Sequence, residues 1–226
     1  MSDRVVVVTG AFGALGRIVA QRLTEDGARV VAVDSAATPP PDLSVAKVIG
    51  GVDLTDAGQA NQVMEAVRGQ LGRIDALINI AGGFVWETVD GNGNESWNRL
   101  HALNLMTALN ASRAAMPYLV ESGAGRIVNI GAKGALSAAT GMGAYAASKA
   151  GVHRLTEALA EEFKGKVTVN AVLPSIIDTP ANRADMPDAD PSKWVTADEL
   201  ASVILFLASP EASGVTGALI PVAGRV

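Results

Sequence analysis

The stretch Arg4-Val-Val-Val-Val-Thr9-Gly10-Ala-Phe12-Gly13-Ala14-Leu15-Gly16, running on into Arg17-Ile-Val-Ala-Gln-Arg-Leu, decides the fold. Its four valines are uniformly apolar, as in a strand covered on both faces, and far too few to span a membrane. After Gly16 apolar residues recur at three- and four-residue spacing, the pattern of a helix with one buried face. A strand, a Gly-x-x-Gly-x-x-Gly turn and a helix in that order make a phosphate cradle. Gly10 permits the tight turn, Gly13 lets the backbone approach a pyrophosphate, and Gly16 allows close helix–sheet packing. The free N–H groups from Phe12 through Ala14 and Leu15, together with the helix dipole, favour the negative charge.

The same alternation continues outward from this unit. Arg4–Thr9, Ala28–Asp34, Lys47–Gly50, Asp75–Ile80, Gly125–Gly131, Lys166–Leu173 and Ala218–Val222 read as seven strands. Ala14–Asp26, Thr55–Leu71, Glu95–Glu121, Met142–Lys164 and Thr196–Ala208 carry helical spacing. Such alternation needs right-handed crossovers and hence an α/β fold: a doubly wound parallel sheet with helices on both faces and ligands at the carboxyl ends of its strands. Residues 1–226 are expected to form one domain carrying both cofactor and substrate sites. Thr38–Asp42 reads as a surface loop, and Pro174–Pro191, with four prolines on the ligand side, as a lid.

Composition narrows the function. Apolar residues make up 49% of the chain and charged residues 18%, which excludes a disordered chain. A net charge of −5 without a run of Lys or Arg provides no footprint for nucleic acid or an anionic membrane, so the expected partner is a small molecule. With no cysteine, disulfides and thiolate catalysis are excluded. The N-terminal residues lack the features of a secretory signal, and a cytoplasmic location is expected. His101 and His153 lie in no carboxylate cluster, and no metal is expected.

Further along, Val30-Val31-Ala32-Val33-Asp34 ends the second strand on a carboxylate that can accept from both adenosine-ribose hydroxyls. A 2′-phosphate would be repelled by Asp34, and Ser35 stands where an Arg commonly receives that phosphate, so NAD (NADH) is favoured over NADP. Asp53 is placed to accept from the adenine amino group with Leu54 on the ring; alternatively Asp53 or Thr55 caps the next helix. Asn79-Ile80-Ala81-Gly82-Gly83 offers small residues against which a ribose could lie. Tyr145 and Lys149 sit four residues apart and share one helix face. A cation beside a phenol lowers its pKa from about 10, so a tuned Tyr145 could donate a proton to a carbonyl oxygen. Trp86, Trp97 and Trp194 read as packing residues, with Trp194 bordering the lid within reach of a substrate.

In this order and spacing, over essentially the whole chain, these motifs resemble the short-chain dehydrogenase/reductases. The resemblance implies NAD(P)-dependent carbonyl–alcohol chemistry on a seven-stranded Rossmann-type sheet, with Tyr145 and Lys149 as the catalytic pair. It also implies a homodimer or homotetramer packed through the long helices. Asn104 matches the asparagine that holds a proton-relay water by its backbone. Pro174-Ser-Ile-Ile177-Asp-Thr179 matches the segment that clamps the nicotinamide carboxamide through the Ile177 backbone and Thr179, with Ser175 in place of the usual glycine.

Two departures sharpen the reading. The middle glycine is Gly13 where the common pattern is TGxxxGxG, and the family's serine, thirteen residues before the tyrosine, is Ala132. With Gly131–Leu136 and Asp178–Asp190, these departures resemble the quinonoid dihydropteridine reductase branch, whose electron-poor substrate and NADH tolerate the missing hydroxyl. Ser137 or Thr140 is an alternative source of that hydroxyl. A general carbonyl/3-oxoacyl or alcohol dehydrogenase of the same family stays open, as does a non-enzymatic dinucleotide-sensing module.

Overall fold

The structure is a computed structural model that describes residues 1–91 and 93–226. Strands β1 (Val5–Thr9), β2 (Arg29–Val33), β3 (Lys47–Ile49), β4 (Ala76–Asn79), β5 (Gly125–Ile130), β6 (Val167–Pro174) and β7 (Leu219–Val222) form one sheet in the order β3-β2-β1-β4-β5-β6-β7. Every pairing is parallel. The order reverses between β1 and β4, where a doubly wound sheet opens its ligand crevice.

Side chains alternate between two cores. Val6 and Val8 pack with α1 (Ala14–Glu25) and α7 (Ala197–Ala208); Val5 and Val7 pack opposite, with α2 (Ala57–Leu71), α4 (Thr107–Glu121) and α5 (Gly143–Glu162). This double burial is why the first strand is an unbroken valine run. Among the described residues, no helix is long and apolar enough to cross a membrane.

The amino-terminal ends of the central strands are clamped by charge. Asp75, fully buried, accepts from the Val5 N–H at 2.8 Å and from the Arg73 guanidinium. Arg4 donates to the carbonyls of Asp75 and Ala124, so one ion cluster spans β1, β4 and β5. Beneath the opposite end, Asn79 donates to Ser112 Oγ and Asn129 Oδ1, and Asn129 donates to Thr156 Oγ1. That ladder fastens α4 and α5 to the sheet.

Two predicted segments differ. Glu95–Glu121 is helical throughout but not uniformly α: α3 (Glu95–Leu100) passes through a π-helical turn, His101–Met106, into α4, which tolerates Pro117. The wide turn directs Asn104 inward, where its side-chain hydrogen bonds compensate for the broken helical period. Pro174–Pro191 is not wholly irregular, since it contains α6 (Pro180–Asp185), with Pro180 at a position compatible with its missing N–H and Thr179 Oγ1 accepting from Asn182 N.

Candidate active site

The glycine turn follows β1. Gly10 has φ +64°, and a Cβ there would lie 2.7 Å from Ala81 N; a Cβ on Gly16 would collide with the Gly10 carbonyl. These two glycines are required by the protein's own packing. At Gly13 a Cβ would meet only Gly10 O, at 3.5 Å, leaving the turn open to a ligand. Helix α1 begins at Ala14 with no side-chain cap and no acidic residue in its first turn, so its N–H groups are unclaimed by side chains. By contrast, Asp56 caps α2 and Thr196 with Glu199 forms a capping box on α7. Asp34 stands at the end of β2, its Oδ2 accepting from the Phe12 N–H at 2.9 Å and its Oδ1 from Ala36 N at 3.0 Å. Turn, bare helix end and carboxylate therefore fit a dinucleotide.

Several expected residues fall elsewhere. Asn79 is buried, and its Nδ2 donates to Ser112 and Asn129, so it braces the site from below, while its Oδ1 has no partner among the described residues. Leu54 is buried in the core; exposed Asp53 accepts from Thr55 N and Oγ1, and the helix cap is Asp56, not Asp53 or Thr55. Trp194 is 2% exposed and belongs to the core, whereas Trp86 and Trp97 are the exposed tryptophans. Ser175 needs no positive φ and is anchored by its hydroxyl to the Ala223 carbonyl. The Ile177 carbonyl accepts from Asn182 Nδ2, and Thr179 begins α6, while Pro174 closes β6.

The residues expected to react lie on α5. Tyr145 and Lys149 occupy the first turns of α5. Lys149 is 5% exposed and donates from Nζ to the Ile130 carbonyl at 2.8 Å. A Cβ on Gly82 would lie 3.4 Å from that Nζ and 2.6 Å from Asn104 Oδ1, which puts Gly82, Lys149 and Asn104 around one point. Asn104 uses its side chain rather than only its backbone: it exchanges two hydrogen bonds with Gly83 and donates to Ser148 Oγ at 2.9 Å. The Ser148 hydroxyl in turn donates to the Tyr145 carbonyl at 2.8 Å. Ser148 escaped sequence reasoning, although a hydroxyl at i+3 from the tyrosine was the available signal.

Phe84 meets Tyr145 edge to face, with centroids 5.0 Å apart and planes at 82°. Trp86 lies over Gly141, where a side chain would collide with its indole, and Glu87 N donates to the Gly141 carbonyl. Ala132 is buried, while Ser137 and Thr140 are exposed. Burial corrects the expected electrostatics. It pushes the Tyr145 phenol up to about 12 and lowers Lys149 to about 8. A charge-neutral phenol is preferred in the dry site, and no lowering by Lys149 offsets this. Near neutral pH the site thus pairs a proton-bearing phenol with a largely cationic lysine, a combination that can protonate a developing alkoxide.

Residues 4–190 match the short chain dehydrogenase family. The chain belongs to that family. This short-chain dehydrogenase is an NAD(P)-dependent oxidoreductase. It is 32% identical over 240 residues to the 3-oxoacyl-acyl-carrier-protein reductase FabG of Thermotoga maritima, covering 99% of this chain and 98% of the relative. In structure it resembles the ligand-free aldohexose dehydrogenase of Thermoplasma acidophilum, with a TM-score of 0.90, 29% identity and coverage of 99% and 94%. It also resembles carveol dehydrogenase of Mycobacterium avium in complex with NAD, with a TM-score of 0.87, 27% identity and coverage of 99% and 97%.

Proposed function

We propose that this short-chain dehydrogenase is an NADH-dependent carbonyl reductase that acts on a small ketone. The observation that carries the reading is the half-buried Tyr145 phenol, held in its proton-bearing form by desolvation, one helical turn from the buried Lys149. The similarity to a 3-oxoacyl reductase supports a carbonyl substrate.

The residues fit a bound dinucleotide. The N–H groups from Ala14 to Gly16 would hold the pyrophosphate, Asp34 the adenosine ribose, Asp53 the adenine amino group, and Ala81 and Gly82 the second ribose. Pro174, the Ile177 backbone and Thr179 would hold the nicotinamide. NADH, when bound, supplies the hydride. Tyr145 gives its proton to the substrate oxygen as that oxygen gains charge, and Lys149 stabilises the phenolate left behind. Asn104 holds Gly83, and Ser148 holds the first turn of α5, so that loop and helix keep their spacing during transfer.

A second reading, reduction of a quinonoid, pterin-like ring, is favoured by Ala132: with no serine hydroxyl at that position, a substrate already activated for hydride acceptance is the better match. The aromatic side chains of Phe84 and Trp86 offer such a ring flat surfaces. An NADH-oxidation assay comparing small ketones and 3-oxoacyl thioesters with quinonoid dihydropterin separates the readings. Tyr145→Phe should abolish turnover on whichever substrate is used while NADH still quenches protein fluorescence. Retained turnover removes Tyr145 from its role.

A further inference from the structure

The face of α5 that carries Tyr145 and Lys149 continues one turn further to His153, which is 2% exposed. Its Nε2 accepts a hydrogen bond from the Ala132 N–H at 3.3 Å. One turn earlier Lys149 Nζ donates to the Ile130 carbonyl. The two side chains therefore grip the end of β5 on either side of Gly131, whose own N–H is taken by the Val172 carbonyl at 2.9 Å. The fit is tight: a Cβ on Gly131 would lie 2.5 Å from His153 Nε2.

Two consequences follow from the chemistry of imidazole. A nitrogen that accepts from an amide carries no proton, so the neutral ring holds its proton on Nδ1. An imidazolium presents donors on both nitrogens and would face the Ala132 donor with another donor, breaking the clamp. The surroundings oppose that charge. Burial, then Arg154, then Lys149 lower the pKa of His153 below the usual imidazole value. Arg154 and Lys149 both come from α5; β6 contributes no ionisable side chain, and Arg126, the charged residue of β5, lies at the far end of that strand.

We propose that His153 is a positioning residue, which, as the neutral Nδ1–H tautomer, holds the Ala132 peptide against α5 and so sets the wall of the reacting site relative to Tyr145. The role rests on the reading of Tyr145 and Lys149 as the reacting pair. Deeper in the strand Asn129 Nδ2 donates to Thr156 Oγ1, but past Asn129 the tie from Lys149 belongs to a flexible ammonium with three donors that also serves the site. His153 is the rigid tie. Ala132, which stands where the family's serine would be, depends on its main chain alone for placement.

The test reads the ring directly. Imidazole ¹⁵N shifts of the wild-type protein, assigned against His101→Asn, should show His153 as the Nδ1–H tautomer, neutral well below the about 6.5 at which an ordinary histidine is half protonated. The Nε2–H tautomer, or titration at the ordinary value, overturns the proposal. In turnover, His153→Leu should lower kcat about ten- to hundredfold with KM for NADH nearly unchanged, and His153→Gln, which keeps an acceptor, should recover most of that loss. Full kcat in the Leu variant, or equal losses in Leu and Gln, also overturns it. Turnover that survives Tyr145→Phe would instead sink the catalytic reading and leave the ¹⁵N result standing.

Discussion

Asn104 and Gly83 exchange a pair of hydrogen bonds, the Asn104 Oδ1 accepting from the Gly83 N–H at 2.8 Å and its Nδ2 donating to the Gly83 carbonyl at 3.0 Å. This pairing joins the π-helical turn before α4 to the loop that carries Phe84 to Tyr145. Asn104→Ala leaves both Gly83 groups and Ser148 Oγ without these partners. It should cost about 1–3 kcal/mol in urea unfolding, and kcat should fall because the Phe84 loop loses its anchor. A variant with wild-type stability and kcat would show that the pairing is dispensable.

Lys149 gives a pH signature of stability. Burial lowers its pKa from 10.5 to about 8, so between those values the unfolded chain holds a proton that the folded chain has released. Where the unfolded state binds more protons, stability rises with pH. Relative to Lys149→Met, the ligand-free wild type should gain roughly 3 kcal/mol from pH 8 to pH 10.5, with the gain absent below and complete above that window. Urea titrations of both proteins across the range measure it. A difference that stays flat would contradict a desolvated ammonium.

Restoring the family's hydroxyl tests the missing donor. Ala132→Ser places a hydroxyl beside the reacting carbonyl while leaving the N–H that His153 accepts. It should raise kcat/KM for unactivated ketones about tenfold or more, and change turnover of a quinonoid substrate little. An equal response from both substrate types would mean that Ala132 does not set substrate class.

The proposed preference for NADH rests on Asp34. Asp34→Ala removes the charge that repels a 2′-phosphate and should narrow the preference for NADH over NADPH by about tenfold or more, equivalent to about 1.4 kcal/mol. Fluorescence titration with each nucleotide gives the ratio. If NADPH already binds the wild type as tightly as NADH, the argument from Asp34 fails.

Much of the architecture was legible because it is periodic. Double burial writes itself as Val5–Val8, and helical faces as three- and four-residue spacing, so the strands and long helices could be placed. The π-helical turn was not legible, since it depends on Asn104 finding Gly83, a partner 21 residues away in sequence. Asn79 illustrates the limit at the site: a polar residue at a strand end can face a ligand or brace the core, and only the positions of Ser112 and Asn129 decide between them. The tryptophans, all read as packing residues, divide for a related reason. Trp194 is buried and Trp86 exposed because of how the segments around them fold over the sheet, which local spacing does not encode. Tyr145 and Lys149 are singled out by spacing, but the sign of the tyrosine's perturbation is set by burial.

The ion cluster around Asp75 ties β1, β4 and β5 together at the ends remote from all of these groups. Anchorage and chemistry therefore occupy opposite rims of the sheet, and a change in one does not have to be repaired in the other. The loops at residues 83–91, 131–142 and 175–195 can be recut, as a gardener grafts new wood on an old rootstock, while the strands that carry them stay in register. Such a scaffold is a natural starting point for swapping substrate loops between relatives.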